Sequence, residues 1–96
     1  MTLNELRKRI DELDLNIKEL FLKRMDVSKN VAQIKFYTGD KILKPEREEE
    51  LIQKLCEGLE EDFKNSYASL LRKQMEVSRC CQYRKMLGLG AEFQIK

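Results

Sequence analysis

The longest stretch of the chain without a helix-breaking residue begins near its N-terminus. No glycine or proline occurs before Gly39, and apolar residues recur every three or four positions. This spacing is a heptad seam, and its members are Leu3, Leu6, Ile10, Leu13, Ile17, Leu20, Val27, Val31 and Ile34. Thr2 and Glu5 have the spacing of an N-terminal capping box. The sequence therefore predicts one helix over about 3–36, roughly 50 Å long at 1.5 Å per residue.

Two shorter helices are expected after a loop at 37–44. Pro45 suits the first turn of a helix over about 45–58, because a backbone N–H would have no partner there. A third helix is expected over about 62–87, before closely spaced glycines and a tail at 88–96. The chain of 96 residues, with four glycines and one proline, is therefore expected to form one all-α domain of three helices.

The length of the first helix does not suit a monomer. A globule of this size has a diameter of about 26 Å from the scaling of the radius of gyration, about half the length of the helix. Two shorter helices cannot cover an apolar seam along its full length. A second copy of the chain lying along the seam would cover it, so the sequence predicts an intertwined helical homodimer.

Composition excludes several classes of protein. The net charge is +2, and basic residues alternate with acidic ones along the chain, which is not a nucleic-acid-binding pattern. No signal peptide or membrane span is expected, because the chain has no long apolar run. Cys56, Cys80 and Cys81 cannot all pair within one chain, and there is no histidine. We expect reduced thiols, no metal site and a cytoplasmic protein.

Polar residues interrupt the seam of the first helix. Arg24 occupies the slot after Leu20, where another apolar residue is expected, and Lys35 follows eleven residues later. Eleven residues are nearly three turns, so the two cations share a face about 16 Å apart. Arg7 lies beside the same seam but about 25 Å from Arg24, too far for one small ligand to contact both. In an antiparallel dimer, the partner's copy of Arg7 could complete the site.

The other two helices also place polar groups on their apolar faces. Arg47 and Glu48 lie one turn before the apolar residues of the second helix, and Ser78 and Gln82 continue the apolar stripe of the third. Together with the cations of the first helix, these groups suit a small polyanion such as a dicarboxylate, bound by arginine. No phosphate-binding loop, metal triad or activated nucleophile accompanies them. An enzyme built this way would work by positioning and electrostatics, without a cofactor.

Each of these residues also has a simple structural interpretation. An arginine on a seam more often fixes register, or extends its charged head to water, than it binds a ligand. Lys35 suits the negative end of a helix. The polar pairs in the second and third helices suit exposed or fringe positions. Interruptions in all three helices together favour a binding site.

Three segments carry a resemblance to a known family. LRKRIDELDLNIKELFLKRMDVSKNVAQIK, ILKPEREEELIQKL and MEVSRCCQ resemble the all-helical, intertwined-dimer chorismate mutases of the stand-alone bacterial type, over residues 3 to about 85. The match includes the LRxxID start, the P-x-R-E segment, the S-x-x-x-Q pair and the spacing between them. The resemblance implies a cofactor-independent isomerase that converts chorismate to prephenate in phenylalanine and tyrosine biosynthesis.

The resemblance also implies roles in binding the substrate. Arg24, together with Arg7 from the partner chain, would bind the two carboxylates of chorismate. Arg47 would support that binding from the second helix, and Ser78 would assist at a carboxylate.

Roles at the reacting atoms follow from the same resemblance. Lys35 and Gln82 would donate hydrogen bonds to the ether oxygen, which gains negative charge as its C–O bond breaks. Glu48 would accept a hydrogen bond from the ring hydroxyl. Lys44 departs from the family pattern, because some relatives carry an acid there near the substrate hydroxyl.

Two other functions fit the sequence. An isochorismate-pyruvate lyase shares the fold and most of the charged residues, although Glu48 and Gln82 together favour the mutase. A non-catalytic helical dimerisation module would use the seam arginines for register alone. The chain ends soon after the third helix, which is the expectation for a mutase without a fused regulatory domain.

Overall fold

The computed structural model describes residues 1–91, which form three α-helices and no strand. Helix α1 spans Leu3–Thr38, α2 spans Pro45–Cys56 and α3 spans Glu61–Gly88. The all-α fold expected from the sequence is confirmed. Compared with the expected bounds, α1 ends two residues later, α2 ends two residues earlier, and α3 is one residue longer at each end. Of the expected tail, residues 92–96 lie outside the described range.

Helix α1 is capped at both ends. The Thr2 hydroxyl accepts a hydrogen bond from the Glu5 N–H at 3.2 Å, and the Glu5 carboxylate accepts from the Thr2 N–H at 3.3 Å. The predicted capping box is therefore confirmed. At the other end, Gly39 has a φ of 74° and its N–H donates to the carbonyl of Lys35. This left-handed conformation favours glycine and ends the helix.

Helix α2 begins at Pro45, as predicted, with Lys44 as its N-cap residue. It ends at Cys56 because Glu57 is extended (ψ 137°) and Gly58 is left-handed (φ 78°), so the chain turns two residues earlier than expected. An exposed ion pair between Glu49 and Arg72 links α2 to α3.

The apolar core has two parts. Between α2 and α3, Ile52 and Cys56 pack with buried residues of α3, and between α1 and α3, Ala32 and Ile42 pack with Met86. Along α3, the buried residues are Leu71, Met75, Ser78, Cys81, Gln82 and Met86. Ser78 and Gln82 thus lie between the two apolar clusters, and the cores hold α1, α2 and α3 around this polar position.

The N-terminal half of α1 projects from this core. Every residue from 1 to 23 is exposed, and the chain measures 54 × 26 × 24 Å. The seam residues Leu13 and Leu20 are 59% and 64% exposed, and only Ser28 and Ala32 of α1 are buried. The two shorter helices therefore leave the seam uncovered along most of its length. Within residues 1–91, no helix is long and apolar enough to cross a membrane.

Candidate active site

A cavity of about 270 Å³ opens where the middle of α1 meets the start of α2 and the second half of α3. Its lining includes six of the seven site residues predicted from the sequence: Arg24, Lys35, Arg47, Glu48, Ser78 and Gln82. The seventh, Arg7, is exposed on the projecting half of α1 and does not line the cavity. One chain thus brings together every predicted residue except the one expected from a partner.

The cavity is strongly cationic. Lys44 and Arg79 line it in addition to the three predicted cations, and among residues 1–91 Glu48 is the only carboxylate in the lining. The formal charge of the lining is therefore +4. Within residues 1–91, neither Arg24 nor Arg47 forms an ion pair or a side-chain hydrogen bond. Two guanidinium groups without a protein partner are well suited to bind a ligand with two carboxylates.

Lys35 is held at the edge of the cavity by the loop that follows α1. Its Nζ donates to the carbonyl of Ile42 at 3.3 Å. Partial burial lowers the pKa of the Lys35 ammonium below the usual 10.5, outweighing Asp40, which raises it; Lys44 and Arg47 lower it further. A partly buried ammonium close to other cations interacts more strongly with an incoming anion than one fully exposed to water.

Glu48 is paired with a cation that the sequence did not single out. Arg79 Nη1 donates to Glu48 Oε1, and both side chains are about one quarter exposed (24% and 25%). The pair joins the first turn of α2 to α3 at the cavity wall. The sequence analysis missed Arg79 because a charged residue beside an apolar stripe is usually solvated. The signal that could have identified it is its position directly after Ser78.

A chain of buried polar side chains crosses from α1 to α3. The hydroxyl oxygens of Ser28 and Ser78 are 2.7 Å apart, and Gln82 Nε2 donates to Ser78 Oγ at 3.4 Å. Gln82 Oε1 is buried and has no hydrogen-bond partner within the described residues. Ser28 was also missed, although it lies one turn after Arg24 and two turns before Lys35 on the same face.

The remaining wall is apolar. Its side chains are Val27, Val31, Ile42, Leu51 and Met75. Residues 1–91 contain no cluster of three or more His, Cys, Asp or Glu side chains that could hold a metal ion. The cavity therefore combines an apolar surface with fixed cations and hydrogen-bonding groups, which suits a small, partly apolar dianion.

Comparison with known proteins assigns the chain to a family. A sequence model of the family described as chorismate mutase type II matches residues 6–83. The chain belongs to the chorismate mutase type II family. The resemblance drawn from the three sequence segments is therefore confirmed, and all seven predicted site residues lie within the range that the type II model matches.

A chorismate mutase from Methanocaldococcus jannaschii is similar to this type II family member. The two sequences are 46% identical over 57 residues, which cover 56% of this chain and 58% of the relative. The similarity thus spans little more than half the length of that protein. No solved structure gives a significant match to the chain.

Proposed function

We propose that this protein is a chorismate mutase, a cofactor-independent isomerase that converts chorismate to prephenate in phenylalanine and tyrosine biosynthesis. Membership of the type II family supports this function. The observation that carries the proposal is the convergence of six polar side chains from three helices on one cavity with an excess of cations. A cytoplasmic location belongs to the same proposal, and the three unpaired cysteines support it.

The reaction is a rearrangement within one molecule. A C–C bond forms as the ether C–O bond breaks, and no proton or electron is transferred to the protein. The site therefore has two tasks: to hold the compact conformer in which the reacting carbons meet, and to stabilise the negative charge that grows on the ether oxygen.

The unpartnered guanidinium groups suit the first task. Arg24 and Arg47 would bind the carboxylates of chorismate, and the apolar wall would contact the ring. Glu48 also lines the cavity and would accept a hydrogen bond from the ring hydroxyl, while Arg79 holds its carboxylate in place. Holding the substrate at both carboxylates and at the hydroxyl leaves few conformers, among them the reactive one.

Lys35 and Gln82 suit the second task. Lys35 uses one of its three N–H donors on the Ile42 carbonyl, so two remain for a ligand. Gln82 is buried in the cavity lining, where one end of its amide bonds to Ser78 and the other end has no partner within the described residues. A fixed cation and an amide donor at the ether oxygen would stabilise the transition state by several kcal/mol, roughly, because little reorganisation is needed.

The proposed site is completed by a second chain. We propose a homodimer in which the projecting halves of α1 pack against the partner, and the partner's copy of Arg7 enters the cavity. The exposed seam of α1 supports this arrangement, since it would otherwise leave many large apolar side chains in water. Each dimer would then contain two sites, each with residues from both chains.

Turnover of chorismate by the purified protein tests the proposal. We expect chorismate absorbance to fall while prephenate appears. Pyruvate released from isochorismate, without prephenate from chorismate, would instead establish the lyase. Turnover of neither substrate by a dimeric protein would overturn both enzyme functions and support a dimerisation module.

A further inference from the structure

The polar chain from Ser28 through Ser78 to Gln82 ends in an amide oxygen, Gln82 Oε1, to which the structure assigns no hydrogen bond within residues 1–91. In the structure, Gln82 Nε2 donates to Ser78 Oγ, and Gln82 Oε1 has no partner within the described residues. The two ends of a side-chain amide have nearly the same shape, so a half-turn exchanges them. The orientation decides whether the amide offers a ligand an acceptor or a pair of N–H donors.

The hydroxyl of Ser28 favours one of these orientations. Either oxygen can be the donor in the 2.7 Å bond between Ser28 and Ser78. Within residues 1–91, the Ser28 hydroxyl has no other hydrogen-bond partner. If Ser78 donates to Ser28, the Ser28 proton has no acceptor among the described residues. If Ser28 donates to Ser78, the Ser78 proton is free for Gln82 Oε1, and both hydroxyl protons are used.

We infer that Ser28 is a positioning residue that turns the Gln82 amide so that its N–H donors face the ligand. Ser28 donates to Ser78, Ser78 donates to Gln82 Oε1, and the NH₂ group of Gln82 is left for the ether oxygen. All three side chains are buried, at 6%, 5% and 9% exposure, so water competes little for these bonds. The inference rests on the proposed function, because it needs a ligand with an ether oxygen.

This assignment changes the expected role of Ser78. A hydroxyl has one proton, and a proton donated to Gln82 is not available to a substrate carboxylate. Ser78 then acts through Gln82, as Ser28 does. Loss of either hydroxyl should reduce kcat and leave KM nearly unchanged, because the bond to the ether oxygen strengthens only as the C–O bond breaks.

The test compares two probes of the cavity by titration calorimetry. The first is an oxabicyclic dicarboxylate that imitates the cyclic transition state, and the second is the same compound with CH₂ in place of the ether oxygen. Ser28→Ala should weaken binding of the ether by about three- to tenfold, the range for one lost hydrogen bond. Binding of the CH₂ compound should change less than about twofold, because it has no acceptor at that position.

A double-mutant cycle identifies the route of the effect. In the Gln82→Ala background, Ser28→Ala should no longer discriminate between the two probes. Ser69→Ala, an exposed serine on α3 that does not line the cavity, serves as the matched control.

Three outcomes would contradict the inference or its premise. Equal weakening of both probes by Ser28→Ala, or the same loss of ether binding with Gln82 absent, would make Ser28 a packing residue and overturn the inference alone. A wild-type protein that binds neither probe and does not convert chorismate would overturn the proposed function as well.

Discussion

Arg79 of α3 forms an ion pair with Glu48 in the first turn of α2, so the one carboxylate that the described residues place in the cavity lining is neutralised by a residue of another helix. This ion pair would serve the proposed reaction in two ways. It fixes the carboxylate proposed to accept from the substrate hydroxyl, and it would keep an unpaired negative charge from facing the proposed dianion.

Removing the Arg79 charge should weaken substrate binding. Arg79→Ala leaves Glu48 unpaired beside the substrate and lowers the positive charge of the cavity by one. Two unit charges about 8 Å apart interact by about 2 kcal/mol at an effective dielectric constant near 20, and partial exposure reduces this. We expect KM to rise about tenfold with kcat little changed, because ground state and transition state carry the same total charge.

Two variants control for this measurement in steady-state kinetics. Arg79→Lys keeps the charge and should stay close to the wild-type KM. Arg84→Ala removes an exposed arginine of the same helix that does not line the cavity, and should leave KM unchanged. An Arg79→Ala variant that matches wild type in KM would show that the pair has no part in binding.

The loss of activity at alkaline pH should occur at a lower pH than the ordinary pKa of a lysine would predict. Partial burial lowers the pKa of Lys35 from 10.5, so its cation is lost at a lower pH. A profile of kcat/KM against pH reports the free enzyme, and its descending limb should therefore lie below pH 10.5. The limb in kcat should lie at higher pH, because a bound dianion stabilises the ammonium.

Arginine substitutions identify the group that titrates. Lys35→Arg carries a cation that does not titrate in this range, so any residual activity should lack the limb. Lys44→Arg changes a neighbouring lysine of the same cavity, and its pH profile should retain the descending limb. A limb that persists in Lys35→Arg would assign the titration to another group.

The wild-type enzyme should not need acid. Gln82 is neutral, so the hydrogen bond proposed for it at the ether oxygen should not depend on pH between 6 and 8. Gln82→Glu should introduce an acid requirement, because a carboxyl group donates only when protonated, and its kcat should rise as the pH falls. A steep loss of wild-type activity between pH 6 and 8 would contradict this interpretation.

A subunit-mixing experiment tests whether each site takes Arg7 from the partner. Arg7→Ala and Arg24→Ala homodimers should each be nearly inactive, because every site lacks one arginine. In a mixed dimer, one site lacks both arginines and the other has both. Random refolding of an equal mixture should therefore recover about one quarter of the wild-type activity, since half the dimers are mixed and each has one complete site.

The refolding step itself needs a control. Arg24→Ala mixed with Arg24→Ala that carries a second, silent tag should recover no activity. Sedimentation should show that both single variants remain dimers. Failure of the mixture to recover activity while mixed dimers are present would place Arg7 outside the site.

The fold was accessible from the sequence because its determinants are local. The capping box at Thr2, the absence of glycine before Gly39 and the placement of Pro45 each act within a turn or two of the chain. The end of α2 was misplaced because it depends on the left-handed Gly58, whose backbone angles composition does not reveal.

The candidate site was accessible only where polar residues interrupt an apolar stripe. Arg24 and Gln82 stand out for this reason, whereas Arg79 resembles any solvated charge until α2 is placed beside it. Ser28 is small and hardly interrupts a stripe. Its hydroxyl is recognisable as part of the site only from its hydrogen bond to Ser78, fifty residues away in sequence. Bonds between helices distant in sequence are set by packing, which periodicity does not encode.

The uncovered half of α1 should make the measured stability of the protein depend on its concentration. If its seam is buried only against a second chain, folding and association are one event, and the free energy of unfolding depends on protein concentration. The midpoint of urea unfolding should rise as the sample is concentrated. Catalysis should be lost on dilution as well, because each site then loses the partner's copy of Arg7 and half of α1 has nothing to pack against.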